Sequence, residues 1–267
     1  MYLRCFLICL LLISVLSGCK KSDSEVPEKG VSRTLNDYRK KTISDVRYDL
    51  QFTIPDQKAL AINGKVKISF ALNSLEQDLV LDFSNESKQV QAVSKSGKAL
   101  SYQFINEHIV IPAQHLEVGE NTIEIEFIAG DLSLNRSDDY LYTLFVPDRA
   151  STCFPLFDQP NLKAKYTLTL YTPQHWEAVA NGALISKKEV EKQWQYSFQE
   201  TQPVSSYLFA FATGKFFKKT DTVEGREMTK YYRETDSVKV NRNQKEVFRL
   251  HAQSMDWLEQ YTGIAYP

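Results

Sequence analysis

Apolar and polar residues alternate along many short segments of this chain, and this alternation limits the folds that it can adopt. The clearest segment runs from Val46 to Ile54, where every second residue is apolar, and Pro55 follows it directly. A period of two places the apolar side chains on one face of a β-strand. Similar segments recur at roughly ten-residue spacing up to Phe211, with turn residues between them. The sequence therefore predicts an all-β fold, either a curved antiparallel sheet or a β-sandwich.

The spacing of apolar residues changes to that of a helix near residue 241. Between Gln244 and Tyr261, side chains at helical spacing form one mostly apolar face. Gly263 follows as a suitable C-terminal cap. Because such a face has to be buried, we expect the helix to pack on the sheet or against a further part of the protein. His251 lies on the same face, so its side chain is expected to be buried in a core or an interface.

The N-terminus has the features of an export signal. Arg4 is followed by an apolar run of about a dozen residues, which is shorter than the roughly 20 that span a membrane. The run ends in Leu16-Ser-Gly-Cys19, a pattern that resembles the lipobox of bacterial lipoproteins. We therefore predict a signal peptide over residues 1–18 and a diacylglycerol on the thiol of Cys19. The alternative is an ordinary secretory peptide with an incidental cysteine.

The export signal also predicts where the mature chain resides. Residues 20–29 are polar and charged, so we expect a flexible tether over residues 19–40 that starts at the lipidated cysteine. The lipid would hold the protein to a membrane of the cell envelope, in the periplasm or on the outer-membrane surface. Cys153 would remain as a single thiol without a disulfide partner. Its apolar neighbours predict that it is buried and unreactive.

The charge and the motifs of the chain exclude several kinds of function. The formal net charge is −1, so a nucleic-acid partner is not expected. The sequence contains neither a Gly-x-Ser-x-Gly turn nor a glycine-rich phosphate loop. It also lacks His-Glu-x-x-His, and no two histidines have the spacing of roughly three to five residues that zinc ligands favour. The sequence thus predicts no catalytic residue and no metal ligand, and it places His108 and His175 on the surface.

Aromatic residues are concentrated between positions 140 and 160. They are Tyr140, Tyr142, Phe145, Phe154 and Phe157. Such a group can form an exposed platform for a carbohydrate, or it can attach a long loop to the sheet. We favour the second interpretation and keep the first as a hypothesis.

Four segments of the chain, in order, resemble the N-terminal domain of zinc aminopeptidases of the aminopeptidase N type, which are gluzincin metallopeptidases. The segments are Phe157-Asp-Gln-Pro160, Ala178-Val-Ala-Asn-Gly182, the stretch from Gln202 to Phe211, and the stretch from Trp257 to Pro267. The resemblance covers Asp45 to Pro267. It implies a concave β domain over residues 41–235 that lines one wall of a peptide cleft. It also implies that residues 236–267 begin a thermolysin-like catalytic domain.

The resemblance further implies that zinc belongs to the complete enzyme and not to this chain. In the family, the zinc ligands, the general-base Glu and a Gly-x-Met-Glu-Asn strand lie in the next domain, and none of those motifs occurs here. We therefore expect this chain to be inactive as a peptidase on its own. Its partners would be the catalytic domain of the same protein, peptide substrates, and the membrane through Cys19. The alternative is a non-catalytic surface lipoprotein that binds peptide, protein or glycan through the curved sheet.

One departure from the family pattern concerns the binding of substrate. Many members carry Gln-x-Glu before the Phe-Asp-x-Pro motif, and that Glu helps to hold the free α-amine of the substrate. Counting back from Asp158, the Gln falls on Leu144 and the Glu on Val146. Asp148 would be able to replace the Glu, whereas Arg149 would favour a carboxylate. These two residues and Asp158 are the candidates for the substrate cleft, although we favour a structural role for each. We expect Asp158 itself to stabilise its own turn through backbone hydrogen bonds.

Overall fold

A large curved β-sheet forms the centre of the computed structural model, which describes residues 26–266. Its neighbouring strands are antiparallel, except that β1 and β11 run parallel. The eight strands, in their order across the sheet, are β13 (Leu184–Val190), β14 (Gln193–Phe198), β11 (Lys165–Pro173), β1 (Ile43–Thr53), β2 (Asn63–Leu72), β8 (Gly119–Ile128), β4 (Val90–Lys95) and β5 (Lys98–Ala99).

Smaller sheets and two α-helices complete the described part of the chain. The four-stranded sheet consists of β12 (Glu177–Ala180), β15 (Phe211–Gly214), β10 (Tyr140–Thr143) and β9 (Leu134–Arg136), and the three-stranded sheet of β3 (Leu79–Asp82), β7 (His108–Ile111) and β6 (Gln103–Ile105). A hairpin is formed by β16 (Phe217–Val223) and β17 (Arg226–Tyr232), and the helices are α1 (Arg33–Thr42) and α2 (Ser237–Thr262). The predicted all-β class is confirmed.

The alternation in the sequence determines which face of the central sheet is buried. In β1, the side chains of Tyr48, Leu50 and Phe52 are almost completely buried, whereas the residues between them are partly or fully exposed. The ring of Phe52 lies 5.2 Å from that of Phe211 in the four-stranded sheet. The apolar face of the central sheet therefore packs against the smaller sheets and forms one hydrophobic core with them.

The loop that follows β10 is attached to this core by its aromatic residues. Phe145, Phe154 and Phe157 are at most 1% exposed. The backbone N–H of Phe157 donates a hydrogen bond of 2.9 Å to the hydroxyl of Tyr48 in β1. Burial of these rings agrees with the favoured interpretation, in which they hold the loop to the sheet. It also removes the three phenylalanines from any exposed platform for a carbohydrate.

Helix α1 occupies part of the segment for which a flexible tether is predicted. Ser32 caps the helix, because its hydroxyl accepts a hydrogen bond from the backbone N–H of Leu35. Arg39 is only 1% exposed, which is unusual for a residue in so polar a sequence. The tether prediction for residues 19–40 is therefore wrong from 33 onward, because an ion pair with a distant residue anchors the helix. The signal peptide over 1–18 and the lipidation of Cys19 lie outside the described residues.

Helix α2 follows the β16–β17 hairpin and buries only part of its apolar face. Phe248 is 3% exposed, whereas Trp257 is 60% and Tyr261 is 76% exposed. His251 is also exposed, at the edge of a groove between α2 and β17, so a core position is wrong for it, and the interface alternative stays a prediction. The reason is that the described chain provides packing partners for one side of this face only. No helix within residues 26–266 combines the length and the apolar character needed to cross a membrane.

Candidate functional site

Two of the predicted cleft residues, Asp148 and Asp158, line the same cavity of 530 Å³. The loop after β10 forms one wall of this cavity. The end of β3, the start of β7 and the segment that precedes α1 form the rest. Asp148 is exposed at the rim, whereas the side chain of Asp158 is only 7% exposed. The structure therefore brings together two candidate residues that are ten positions apart, through the fold of the loop.

Arg149, the third candidate, is directed elsewhere. Its guanidinium donates a hydrogen bond of 3.0 Å to the backbone carbonyl of Leu132. Arg149 is not among the residues that line the cavity. In this arrangement the side chain joins two loops, and its charge does not point at the space that Asp148 and Asp158 share.

Asp158 connects three separate segments of the chain. Its carboxylate accepts a hydrogen bond of 2.9 Å from the backbone N–H of Ser151 and one of 2.6 Å from the hydroxyl of Ser206. Its own backbone N–H donates to Asp82 at 2.7 Å. Burial raises the pKa of Asp158, and the hydrogen bonds from the two serines offset part of that rise. The bond to the Ser151 N–H is of the kind expected from the sequence, and the links to Asp82 and Ser206 were not foreseen.

At the inner end of the cavity, Asp82 forms an ion pair with Arg39. The two nitrogen atoms Nη1 and Nη2 of Arg39 lie 2.8 and 2.7 Å from the two carboxylate oxygens. Both side chains are at most 5% exposed. Burial alone would raise the pKa of Asp82, but the Arg39 guanidinium, with further hydrogen bonds, lowers it to about 2. Asp82 is therefore ionised over the whole physiological pH range.

His108 contacts the same carboxylate, and its predicted surface position is wrong. The residue is 1% exposed. Its Nδ1 lies 3.0 Å from Oδ1 of Asp82, and its Nε2 lies 2.8 Å from the backbone carbonyl of Glu28. Burial lowers the pKa of the imidazole, but the Asp82 carboxylate, 3.0 Å from Nδ1, outweighs this and raises it above its ordinary value. One feature of the local sequence indicates the buried cluster of Arg39, Asp82 and His108. It is the charged Asp82 within the otherwise apolar run Leu79-Val-Leu-Asp-Phe83.

The positions counted as the amine-binding pair carry exposed apolar side chains. Leu144 is 50% and Val146 is 51% exposed, and Phe145 between them is buried. Tyr142, two residues earlier, is 41% exposed on the same side of the chain. This segment therefore presents a short apolar row next to the rim of the cavity, with no carboxylate in the row itself.

The described residues do not fit a zinc ion. No group of three His, Cys, Asp or Glu side chains within residues 26–266 is arranged to hold a metal. Both ring nitrogens of His108 face hydrogen-bond acceptors, and Nε2 of His115 lies 2.8 Å from the hydroxyl of Ser101. Cys153 is fully buried, and burial raises its pKa far above the ordinary value, so it is not a thiolate ligand.

A family model and curated relatives both relate this chain to aminopeptidases. The model of the Peptidase M1 N-terminal domain matches residues 44–208. Aminopeptidase M1-B of Oryza sativa subsp. japonica is 28% identical over 243 residues, which are 84% of this chain and 27% of that protein. Glutamyl aminopeptidase of Sus scrofa is 37% identical over 87 residues, 32% of this chain and 9% of that protein.

A solved structure shares the fold. The M1 zinc metallopeptidase from Deinococcus radiodurans superposes with a TM-score of 0.58 at 17% sequence identity, over 72% of this chain and 47% of that one. This chain therefore spans less than half of that structure and, at 27%, about a quarter of the rice protein.

Proposed function

Because this chain belongs to the peptidase M1 N-terminal domain family, we propose that it is the cleft-lining domain of a zinc metalloaminopeptidase that removes N-terminal residues from peptides. The observation that carries the proposal is the family match over residues 44–208. These residues include β1 to β14, except for Ile43 at the start of β1. The relatives that it matches are aminopeptidases, and the chain spans 27% of the rice protein. In the proposal, zinc and the peptide-cleaving groups come from the catalytic domain of the same protein.

An exposed apolar surface on α2 supports docking of that catalytic domain. The rings of Trp257 and Tyr261 stack at 5.0 Å on the outside of the helix. Ile264 and Tyr266 beyond the helix end are 71% and 67% exposed. Clustered exposed apolar side chains of this kind commonly mark an interface. We propose that residues 236–267 begin the catalytic domain and that this surface becomes buried against it.

The proposal is tested by comparing two proteins. One is this chain of 267 residues, and the other is the full product of the gene, including any coding sequence beyond codon 267. Both are assayed for bound zinc by elemental analysis and for release of a fluorophore from aminoacyl-amidomethylcoumarin substrates. We expect zinc and activity in the full product only. Stoichiometric zinc and turnover by this chain alone would overturn the proposal. If the full product bound peptides but did not hydrolyse them, the non-catalytic alternative would be favoured.

We also propose that the protein is a lipoprotein of the cell envelope, anchored through Cys19. The support is the Leu-Ser-Gly-Cys pattern after the apolar run of the N-terminus. Cells that express the protein are fed an alkyne fatty acid, and the label on the purified protein is measured. We expect labelling and membrane fractionation, both lost in Cys19→Ala. Equal labelling of Cys19→Ala would contradict the assignment of this residue.

A further inference from the structure

The segment of residues 26–31, which we call the strap, lies across the β6–β7 hairpin. The backbone carbonyl of Pro27 accepts a hydrogen bond of 3.0 Å from the side-chain amide of Asn106. The backbone carbonyl of Glu28 lies 2.8 Å from Nε2 of His108. Lys29 forms an ion pair of 2.5 Å with Glu107. Three successive strap residues are thus bound by three successive residues of the hairpin.

The strap also closes one side of the cavity. Lys29, Gly30 and Val31 line it, opposite Asp148 and Asp158. If the strap left the surface of the domain, the cavity would therefore open on this side. The strap is the first segment of the described residues, and α1 follows it directly.

Polar contacts, rather than apolar burial, hold the strap in place. Val26, Glu28, Lys29 and Gly30 are all exposed. The Lys29 side chain is 73% exposed, so its pair with Glu107 contributes little to the free energy of binding. Among the strap's hydrogen bonds given above, the one with a buried partner is the bond from His108 to the Glu28 carbonyl. A segment with so few buried contacts opens locally at low free-energy cost.

The protonation state of His108 decides whether this hydrogen bond exists. Both neighbours of the ring are acceptors: the Asp82 carboxylate lies 3.0 Å from Nδ1, at ion-pair distance but not aligned for a hydrogen bond, and the Glu28 carbonyl lies 2.8 Å from Nε2. Only the imidazolium form carries a proton on both nitrogens, so that it faces Asp82 with a charge at Nδ1 while it donates to the Glu28 carbonyl from Nε2. A neutral ring has one proton, and the ionised Asp82 is the stronger acceptor of the two. The lone pair of Nε2 would then face the lone pairs of the Glu28 carbonyl.

The charged groups around His108 come from every element packed against it. Asp82 at the end of β3 favours the imidazolium, and Arg39 from α1 opposes it. Asp158 donates a backbone hydrogen bond to Asp82, and its carboxylate is close enough to Asp82 for the two charges to repel. Glu107, adjacent in sequence, is paired with Lys29 of the strap. The Asp82 carboxylate is the nearest of these charges, so the protonated ring is the stable form in the closed arrangement.

We propose that the strap is a pH-operated closure, held across the cavity by the His108 imidazolium and released when His108 loses its proton. The sign follows from the direction of the His108 pKa, which the closed arrangement raises above its ordinary value of 6.5. Closure is complete at a pH below 6.5 and is lost as the pH rises through the raised pKa. At low pH the strap is held on the β6–β7 hairpin, and at high pH it is released as far as α1.

The test is a methyl NMR titration of the full chain, labelled on the valine methyl groups. The methyls of Val26 and Val31 report on the two ends of the strap, and the His108 ring protons report on its charge. Spectra are taken from about pH 5.5 to about pH 9, which brackets the titration of a histidine with a raised pKa. We expect the strap methyls to shift and sharpen with the same midpoint as His108. Strap signals that stay constant while His108 titrates would overturn the proposal.

Two variants separate closure from general pH effects. His108→Gln retains a donor but cannot titrate, so its strap signals should not change with pH. His115→Gln is the matched control, because this histidine lies outside the cavity and pairs with Ser101. In His115→Gln, the strap methyl signals should change with pH as they do in the unmodified chain. A strap titration that persists in His108→Gln would show that another group is responsible and would overturn the proposal.

A second measurement keeps the proposal testable if His108→Gln does not fold. Trypsin cleaves after Lys29, within the strap, and the rate is divided by that of a synthetic peptide of residues 26–33. The normalised rate should rise about tenfold across the titration, as expected for loss of one hydrogen bond to a charged group. A normalised rate that is independent of pH would contradict the closure.

Discussion

The guanidinium of Arg39 and the carboxylate of Asp82 form a buried two-point ion pair, with nitrogen–oxygen distances of 2.8 and 2.7 Å. The two residues are 43 positions apart, and they connect α1 to the end of β3. The guanidinium also lies 5.4 Å from the centre of the Phe157 ring, in the loop that lines the cavity. One side chain thus links the N-terminal helix, a strand and the candidate site.

Replacement of Arg39 by methionine should strongly destabilise the fold. The variant leaves the Asp82 carboxylate buried without its main partner, which typically costs about 3–5 kcal/mol. The free energy of unfolding is measured by urea denaturation. Arg33→Met is the control in the same helix, since that side chain is 96% exposed, and it should change the stability by less than about 0.5 kcal/mol. Equal effects of the two variants would contradict the importance of the pair.

Removal of both charges should be less damaging than removal of one. In Arg39→Met combined with Asp82→Leu, neither member of the ion pair is left alone in the core, and His108 without the Asp82 charge becomes neutral. Burial of an ion pair also has its own desolvation cost. We therefore expect the double variant to be more stable than Arg39→Met alone, again by urea denaturation. A double variant that loses the sum of the two single effects would show that the residues act independently.

The Asp82 carboxylate should make the fold sensitive to acid. Its pKa falls from 3.8 to about 2 on folding. The ionised carboxylate therefore contributes fully to the free energy of unfolding above pH 3.8, and this contribution is lost as the pH falls toward 2. The shift corresponds to about 2 kcal/mol. The difference in unfolding free energy between the unmodified chain and Asp82→Asn should shrink by about this amount between about pH 5 and about pH 2. A constant difference would mean that Asp82 does not titrate in this way.

Gly64 in β2 is required because the ring of Phe127 in β8 covers it. The two residues are directly opposite in the antiparallel pair, and a Cβ at Gly64 would overlap the ring. Gly64→Ala should therefore destabilise the chain by about 1–3 kcal/mol. In the background of Phe127→Leu, which vacates part of that space, the same substitution should cost less. An equal cost in both backgrounds, measured by denaturation, would rule out this contact as the cause.

The exposed apolar surface of α2 should promote self-association of the isolated chain. We expect the double variant Trp257→Ser, Tyr261→Ser to associate less, so that its sedimentation coefficients in analytical ultracentrifugation shift toward that of the monomer. In the full gene product, where the proposal places this surface in an interface, the same substitutions should lower the thermal stability. Val238→Ser is the control, because Val238 is 74% exposed near the other end of the same helix. A control that behaves like the double variant would contradict a localised surface.

The strand pattern and the aromatic loop follow from local features of the sequence. The alternation from Val46 to Ile54 predicts a strand, and β1 (Ile43–Thr53) has the buried and exposed faces that the alternation specifies. The parallel pairing of β1 with β11 was not predicted, because period-two patterning does not specify which strand lies next to which. The helix over 244–261 was also predicted, but the partial exposure of its apolar face, including His251, depends on what packs against it.

Patterns within short segments are enough to predict the β class, the alternation of the strands, the terminal helix and the membership of a family. The common burial of Arg39, Asp82 and His108, and the position of the segment before α1 along the cavity, arise from contacts between distant parts of the chain. A charged residue is buried only when a partner compensates its desolvation. That partner lies 43 positions away for Arg39, at a distance over which local patterning carries no information.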